Sequence, residues 1–190
     1  EIYFSSDNLI YGSMIGGLLV GNFPFFVNDK VITELSSADL DNDDNNEIVF
    51  GTKNGLVYGL DHNGNQLFVY EQSDSIIGFC SLSDVNNDSF FEIVFIATND
   101  STSKLHIIDY LGNELEGFPV IIPKKIVAPA AIADIDMDGY SDIVFGAIDG
   151  AVYAIDISGN IKTGFPVYAL DAIYSPPTLL TLDDNPELEI

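Results

Sequence analysis

One short pattern returns along the chain at nearly constant intervals, and it limits what the chain can fold into. An acidic residue is followed each time by an apolar run, as Glu1-Ile-Tyr-Phe, Glu47-Ile-Val-Phe, Glu92-Ile-Val-Phe, Asp142-Ile-Val-Phe and Glu189-Ile190. A fixed period of about 47 residues is the signature of stacked supersecondary units, each of which buries its apolar face against its neighbours. The chain therefore forms one region of four units, about 1–46, 47–91, 92–141 and 142–190.

Each unit has the same internal order, which is clearest around the pattern that begins at Asp142. An apolar segment, Ala130–Asp134, leads into an acidic loop, and two apolar strands follow at Ile143–Ala147 and Ala151–Ile157. The turn Asp156–Asn160 has Asp first and Gly three residues later, which is typical of a tight hairpin. A last extended piece contains Gly164-Phe-Pro166, and its Pro predicts an edge strand because Pro cannot donate to a ladder.

Four short strands per unit, without helical periodicity, predict an all-β fold. Units of 40–50 residues with four antiparallel strands are the signature of β-propeller blades. A β-solenoid is the alternative, but its coils are usually shorter. The sequence thus predicts four blades of a β-propeller.

The acidic loop ahead of each apolar run carries oxygen ligands at regular spacing. In the third copy the acids are Asp134, Asp136, Asp138 and Asp142, and Gly139 allows the loop to bend around a centre. Four carboxylates so close together repel one another unless a cation lies among them. Oxygen ligands without His or Cys are those that Ca²⁺ prefers. We therefore predict a calcium loop in front of a strand.

The other copies vary this pattern. The first has Asp39, Asp41, Asp43 and Glu47, with Asp44 in place of the Gly, and the second has Asp84, Asn86, Asp88 and Glu92, with Ser89 in that place. The fourth has Thr181, Asp183, Asn185 and Glu189, and it lacks the first acid. We expect calcium in the third and first loops and in the second, whereas the fourth is the weakest candidate.

An EF-hand is the first alternative for such loops. It requires a bidentate Glu at position 12, where this sequence has Phe50, Phe95 and Phe145. A phenyl ring cannot bind calcium, so the EF-hand is excluded. The closing ligand is then the acid at position 9, and position 7 offers a backbone carbonyl, from Asn45, Phe90 and Tyr140.

The repeated D-x-D-x-D-G-x-x-D pattern followed by Ile-Val-Phe-Gly resembles the FG-GAP or VCBS repeats of integrin α-chains and of many secreted bacterial propellers. Phe50-Gly51 and Phe145-Gly146 match the Phe-Gly of the name. The resemblance implies Ca²⁺ in the hairpin between the first two strands of a blade, held by the loop acids and Asn86 named above. Since such propellers have more blades, it also implies an open arc within a larger multidomain chain. A closed ring, with Thr178–Leu182 beside Ile2–Ser5, is the alternative.

Charge limits the partners of this chain. The formal net charge is −24, and all six basic residues are Lys. Phosphate binding needs clustered cations, so we expect no nucleic-acid partner. The uncharged stretch Leu9–Val27 has the length of a membrane span, but its Gly and Pro content and its fit to the repeat predict no membrane insertion.

Two classes of function fit this reading. The first is a non-enzymatic extracellular adhesion or ligand-binding scaffold with structural calcium and an unknown protein or carbohydrate ligand; a passive spacer cannot be separated from it. The alternative is the propeller domain of a secreted polysaccharide-active lyase or hydrolase, since paired carboxylates can cleave sugars. We expect the chain itself not to be an enzyme, because its acids are explained by loops and turns and His62 and His106 have no apparent catalytic partner.

Extracellular calcium sites bind at about 10⁻⁴–10⁻³ M, which predicts an extracellular, cell-surface or periplasmic location.

Overall fold

The structure is a computed structural model and describes residues 1–181, 188 and 190. Within these residues the chain forms fifteen strands in four separate antiparallel sheets. The strands of each sheet are adjacent in sequence, so every connection within a sheet joins neighbouring antiparallel strands. The all-β fold and the antiparallel blades predicted from the repeat are therefore confirmed.

The strand bounds follow the repeat closely. The first sheet has three strands: β1 Ile2–Ser6, β2 Leu9–Ser13 and β3 Phe25–Phe26. The second contains β4 Ser36–Ala38, β5 Glu47–Gly51, β6 Leu56–Leu60 and β7 Gln66–Glu71. The third contains β8 Ser75–Ser83, β9 Glu92–Thr98, β10 Ser103–Ile108 and β11 Val120–Ile122. The fourth contains β12 Ala131–Ala133, β13 Asp142–Gly146, β14 Ala151–Ile155 and β15 Val167–Tyr168.

The sheets pack face to face, and the second strand of the second, third and fourth sheets is buried on both sides. In β5, Ile48 and Phe50 pack against the first sheet, whereas Val49 packs against the third. Successive side chains of a strand point to opposite faces, so a continuous apolar run serves two interfaces. A similar core lies between the third and fourth sheets, where Ile96 and Phe145 are both buried. This stacking of blade on blade is the propeller arrangement.

A stacked pair of rings marks the same place in every sheet. Cross-strand partners stack as Phe50 on Tyr58 and Phe145 on Tyr153, with ring centroids 5.3 and 5.6 Å apart. In the third sheet His106 takes the Tyr position and stacks on Phe95 at 4.8 Å. Aromatic pairs add about 0.5–1.5 kcal/mol beyond their buried area.

Neighbouring blades also touch through their hairpin turns. Gly117, which precedes the Phe-Pro pair of the third blade, has a φ of 93°, and a Cβ built on it would lie 2.5 Å from the Ser158 carbonyl oxygen in the fourth blade. Gly21 meets the Asn63 carbonyl in the same way. The glycines therefore allow the backbone of one blade to approach the Asp-initiated turn of the next.

The second, third and fourth sheets each begin one strand before the acidic residue that defines the sequence period. The strands that follow the Phe-Pro pairs, β3, β11 and β15, lie at sheet edges, as predicted. The predicted strand Thr178–Leu182 extends into residues outside those that the structure describes, so the choice between ring and arc stays a prediction. Among the described residues, no helix is long and apolar enough to cross a membrane.

Candidate metal centre

The three complete acidic loops occupy the same place in three blades. Each joins the first strand of a sheet to the second, at β4–β5, β8–β9 and β12–β13. The first two sheet strands pair directly in each case, so each loop is the turn of a hairpin. The fourth predicted loop, from Thr181 to Glu189, lies almost entirely outside the described residues.

In the first loop, hydrogen bonds from the backbone hold the acids in a tight bend. Asp39 accepts from the N–H groups of Asp43 and Asp44, each at 3.0 Å. The backbone of Asn42 and Asp44 has positive φ, 62° and 68°, which Asn and Asp tolerate better than most residues. Asp44 therefore replaces the expected Gly without changing the course of the loop.

This bend brings three carboxylates together. Ligand oxygens of Asp39, Asp41 and Asp43 all lie within 4.8 Å of one another. Calcium binds oxygen at 2.3–2.6 Å, so ligands on opposite sides of one ion are about 4.6–5.2 Å apart. The first loop therefore has the dimensions of a single calcium site.

The closing acids of the first two loops are buried at the start of a strand. Glu47 and Glu92 are each 2% exposed, and each accepts a backbone N–H, from Leu40 at 2.8 Å and Val85 at 2.9 Å. Burial first, and then the charges of the neighbouring loop acids, raise the pKa of both carboxyls to about 7, although these hydrogen bonds lower it. A divalent cation would remove this penalty, because it stabilises the ionised form.

The second loop repeats the backbone pattern with an amide at position 3. Asp84 accepts from the N–H groups of Asp88 at 3.0 Å and Ser89 at 2.9 Å. The Asn86 amide donates to Asp88 and Glu92, both at 3.0 Å. The Asn86 oxygen accepts from the Asp88 N–H at 2.9 Å. Whether this amide binds metal stays a prediction.

The third loop has the same framework. Asp134 accepts from Asp138 at 3.1 Å and Gly139 at 2.9 Å, while Asp142 accepts from the Ile135 N–H at 3.2 Å. Oxygens of Asp134, Asp136 and Asp142 lie within 4.8 Å of one another. The third loop therefore brings together the acids at positions 1, 3 and 9, whereas the first loop brings together those at positions 1, 3 and 5.

A lysine contacts three of the acids of this third loop. Lys162 Nζ lies 2.7 Å from Asp136, 2.8 Å from Asp142 and 3.8 Å from Asp138. Burial lowers the pKa of Lys162, but hydrogen bonds to Asp136 and Asp142 outweigh it and raise the pKa to about 12. Its ammonium group also lowers the pKa of Asp136. The loop with the most complete calcium sequence thus already contains a cation.

Sequence reasoning missed Lys162, although a signal existed. Counted from the Asp of the hairpin turn, the residue at this position is Leu67, Leu115 and Lys162 in three successive blades. The backbone is equivalent: the N–H groups of Leu115 and Lys162 donate to Ile107 and Ala154, both at 2.9 Å. Aligning these turns would have identified the one blade with a cation at this position.

The residues predicted to offer a backbone carbonyl at position 7 have the same placement in all three loops. Asn45, Phe90 and Tyr140 lie at the same turn of the three loops, and their N–H groups donate to the position-5 acids at 2.8, 2.9 and 2.9 Å. Whether their carbonyls bind metal stays a prediction.

The two histidines do not form a catalytic arrangement with the loops. His106 is 2% exposed and hydrogen-bonded to Glu114 at 2.6 Å and to Tyr70 at 3.2 Å. Burial lowers the pKa of His106 despite Glu114. A buried neutral ring stacked on Phe95 acts in packing. His62 lies in the hairpin turn of the second blade, where its backbone carbonyl accepts from Tyr3 at 3.2 Å.

Comparison with protein families gives one match. The model of the lambda-carrageenase β-propeller domain matches residues 24–117, a little under half of the chain. The matched segment includes the first and second acidic loops and ends before the third. No curated protein matches the chain.

Solved structures support the propeller architecture. BamB from Moraxella catarrhalis superposes with a TM-score of 0.59 at 18% identity, covering 84% of this chain and 42% of BamB. The computationally designed Ika4 protein gives a TM-score of 0.55 at 20% identity, with 82% of each chain covered. The designed Ika8 protein also gives 0.55, at 17% identity, covering 95% of this chain and 52% of Ika8. The chain spans about two fifths of the length of BamB.

Proposed function

We propose that this chain is part of a calcium-stabilised β-propeller in a secreted protein that acts on polysaccharides. The observation that carries the proposal is the match of residues 24–117 to the lambda-carrageenase propeller domain. This match favours a polysaccharide-active protein. The alternative, an adhesion scaffold, is supported by the resemblance to FG-GAP repeats. Both readings share the calcium-binding propeller.

In this proposal calcium is structural. The first loop brings three carboxylates to calcium-binding distance, and the buried Glu47 follows directly in β5. An ion there would tie β4 to β5 and compensate the repulsion among the acids. With a site of about 10⁻⁴ M and about 1 mM calcium, mass action adds roughly 1.4 kcal/mol per loop. The first and second loops are the sites that we assign to calcium.

The chain serves as a scaffold and binding surface rather than as the catalytic centre. Its loop acids are engaged by backbone N–H groups, as Asp39 is by Asp43 and Asp44, and are thereby held for metal binding. His106, the histidine within a strand, is buried. Sugar cleavage, in this proposal, depends on residues outside these loops.

The affinity of the calcium sites indicates where the protein works, and its net charge indicates which polysaccharides it can bind. Calcium sites with dissociation constants of about 10⁻⁴–10⁻³ M fill outside the cytoplasm, so the protein works in an extracellular, cell-surface or periplasmic setting. A net charge of −24 repels polyanions. Bound calcium reduces that repulsion, so an acidic polysaccharide would require calcium, whereas a neutral one would depend on calcium only through the fold.

Affinity electrophoresis tests the proposal. The protein is run in native gels containing a neutral or an acidic polysaccharide, with 1 mM calcium or with EDTA, and bovine serum albumin serves as an acidic reference protein. We expect selective retardation by at least one polysaccharide in calcium. Migration unchanged by every polysaccharide in calcium, with the protein folded by circular dichroism, would contradict the proposal and favour a protein ligand.

A further inference from the structure

The three acidic loops differ in one respect that the pattern of acids does not reveal. The third loop receives a positive charge from the same polypeptide, twenty residues further along the chain. The ammonium group of Lys162 contacts Asp136 and both oxygens of Asp142 at 2.7–2.9 Å. The Lys162 side chain is 12% exposed and that of Asp142 is 2% exposed, so the contact between these two is buried, whereas the Asp136 side chain is half exposed.

The contact is built into the fold. The Lys162 N–H donates to Ala154 at 2.9 Å, and its carbonyl accepts from the Phe165 N–H at 3.1 Å. These bonds fix the backbone where the chain passes beneath the acidic loop. Asp142 is 2% exposed, so its carboxylate requires a compensating cation once it is ionised.

The corresponding positions in the other blades are apolar. Leu115 makes the same two backbone bonds in the third blade, to Ile107 and from Phe118. Leu67 is the counterpart in the second blade, and with Asp41 and Glu47 it lines a small cavity of about 120 Å³. Neither leucine brings a charge to its loop, so within the described part of the chain the first and second loops have no internal counter-ion of this kind.

We infer that Lys162 takes the place of calcium in the third loop, so that this blade closes without metal while the first and second loops depend on calcium. The part that concerns the first and second loops rests on the calcium role proposed above, whereas the part that concerns Lys162 does not. One blade would thus keep its hairpin at low calcium, when the other two loosen. The side chain at this single position decides which type of loop a blade has.

The third loop is also accessible to an ion if the lysine charge is removed. Asp136, Asp138 and Lys162 line an open cavity of about 500 Å³, through which a hydrated cation can reach the carboxylates. Lys162→Met keeps the unbranched stem and removes the charge. This variant should therefore convert the third loop into a calcium site.

The matched control is Lys104→Met. Lys104 is also partly buried and pairs with an acid, Asp74, at 2.8 Å, but it lies outside the three loops. The reciprocal variant is Leu67→Lys, which places an ammonium group beside Asp41 in the first loop. These three variants separate a general loss of charge from a change at the loop itself.

Calcium titration calorimetry gives the first readout. We expect K162M to bind one more calcium ion than the wild type, L67K to bind one fewer, and K104M to bind the same number. Terbium luminescence locates the gained site, because Tyr140 lies at position 7 of the third loop and can sensitise a bound terbium ion. The additional luminescence of K162M should disappear in K162M/Y140F.

Thermal unfolding in EDTA gives the second readout. K162M should melt about 6–12 °C below the wild type, since removal of one partner from a buried pair is strongly destabilising. K104M should lose less, and calcium should restore K162M. Failure of the calcium role would appear as a wild-type protein that neither binds calcium nor responds to it, while the EDTA comparison would still test Lys162. Unchanged calcium stoichiometry in K162M together with unchanged stoichiometry in L67K, or a K162M protein as stable in EDTA as K104M, would overturn the inference.

Discussion

Lys162 Nζ lies 2.8 Å from the Oδ1 atom of Asp142, and this contact places a cation of the chain inside the acidic loop with the most complete calcium sequence. In the first two loops the buried closing acids, Glu47 and Glu92, have backbone N–H partners but no lysine among the contacts of the described residues. The loops thus share one backbone framework and differ in how their negative charge is compensated.

Two substitutions in the first loop should separate metal binding from loop geometry. Within the described part of the chain the Asp41 side chain makes no hydrogen bond, whereas Asp39 accepts from Asp43 and Asp44. Asp41→Asn should lower the melting temperature in 1 mM calcium by about 3–6 °C, which corresponds to one lost site. In EDTA it should have no destabilising effect, because it only removes a repelling charge.

Asp39→Ala is the comparison for that prediction. It removes a ligand and two backbone acceptors, so it should destabilise the protein by about 1–2 kcal/mol in EDTA as well. Melting curves of both variants in both buffers check this. Equal losses for D41N in calcium and in EDTA would contradict a metal-binding role for Asp41.

The pH dependence of stability should reverse with calcium. Burial raises the pKa of Glu47 and Glu92 to about 7, whereas the unfolded value is 4.5. Between these values the folded state binds more protons than the unfolded state, so stability of the calcium-free protein should fall as pH rises from about 4.5 to 7. The loss should be about 1–3 kcal/mol per group. In calcium the ionised form is bound, so stability should rise with pH over the same range.

Urea unfolding at pH 5.5 and 7.5, with EDTA or calcium, measures this effect. The control is the double variant Glu47→Gln, Glu92→Gln, which has no ionisable closing acid in these two loops and should show a flatter profile in EDTA. A calcium-free wild type that becomes more stable from pH 5.5 to 7.5 would count against the buried closing acids.

A pair of glycines should measure the packing of one blade on the next. Gly117 and Gly164 precede the Phe-Pro pairs of consecutive blades with φ of 93° and 95°. A Cβ on Gly117 would lie 2.5 Å from the Ser158 carbonyl, whereas a Cβ on Gly164 has no described atom within 4 Å. Gly164→Ala should cost about 1 kcal/mol from backbone strain alone, and Gly117→Ala should cost about 2–4 kcal/mol.

Urea unfolding of the two alanine variants gives the difference, in which the shared backbone strain cancels. The remainder reports the contact between the third and fourth blades. If the two variants lose the same stability, the third blade does not pack on the turn at Ser158.

Most of the fold and part of the candidate metal site could be predicted from the sequence. The period between Glu47, Glu92 and Asp142 predicted the second strand of three sheets, because an apolar run buried on both faces follows each acid. The Phe-Pro pairs predicted edge strands for a local reason, the missing N–H of Pro. Phe50 and Phe145 excluded the EF-hand, and both are buried in strands.

The sequence of the third loop alone could not predict that a lysine compensates the negative charge of its acids. Lys162 belongs to a hairpin two strands later, and pairing of β13 with β14 brings that hairpin beneath the loop. The Asn42 amide that donates to the Ser89 carbonyl at 2.8 Å likewise joins two loops 47 positions apart. Such contacts depend on how sheets stack, which a pattern within one repeat does not contain.

Calcium dependence of thermal unfolding is the most direct test of the account. The wild-type protein is melted in EDTA, in EDTA followed by 1 mM free calcium, and in 1 mM magnesium as the control cation. Two filled loops should add roughly 2.8 kcal/mol, which raises the melting temperature by about 6–11 °C in calcium. Magnesium should have little effect, since it dehydrates reluctantly and requires a smaller octahedral site. The same melting temperature in all three buffers would contradict calcium stabilisation of the propeller.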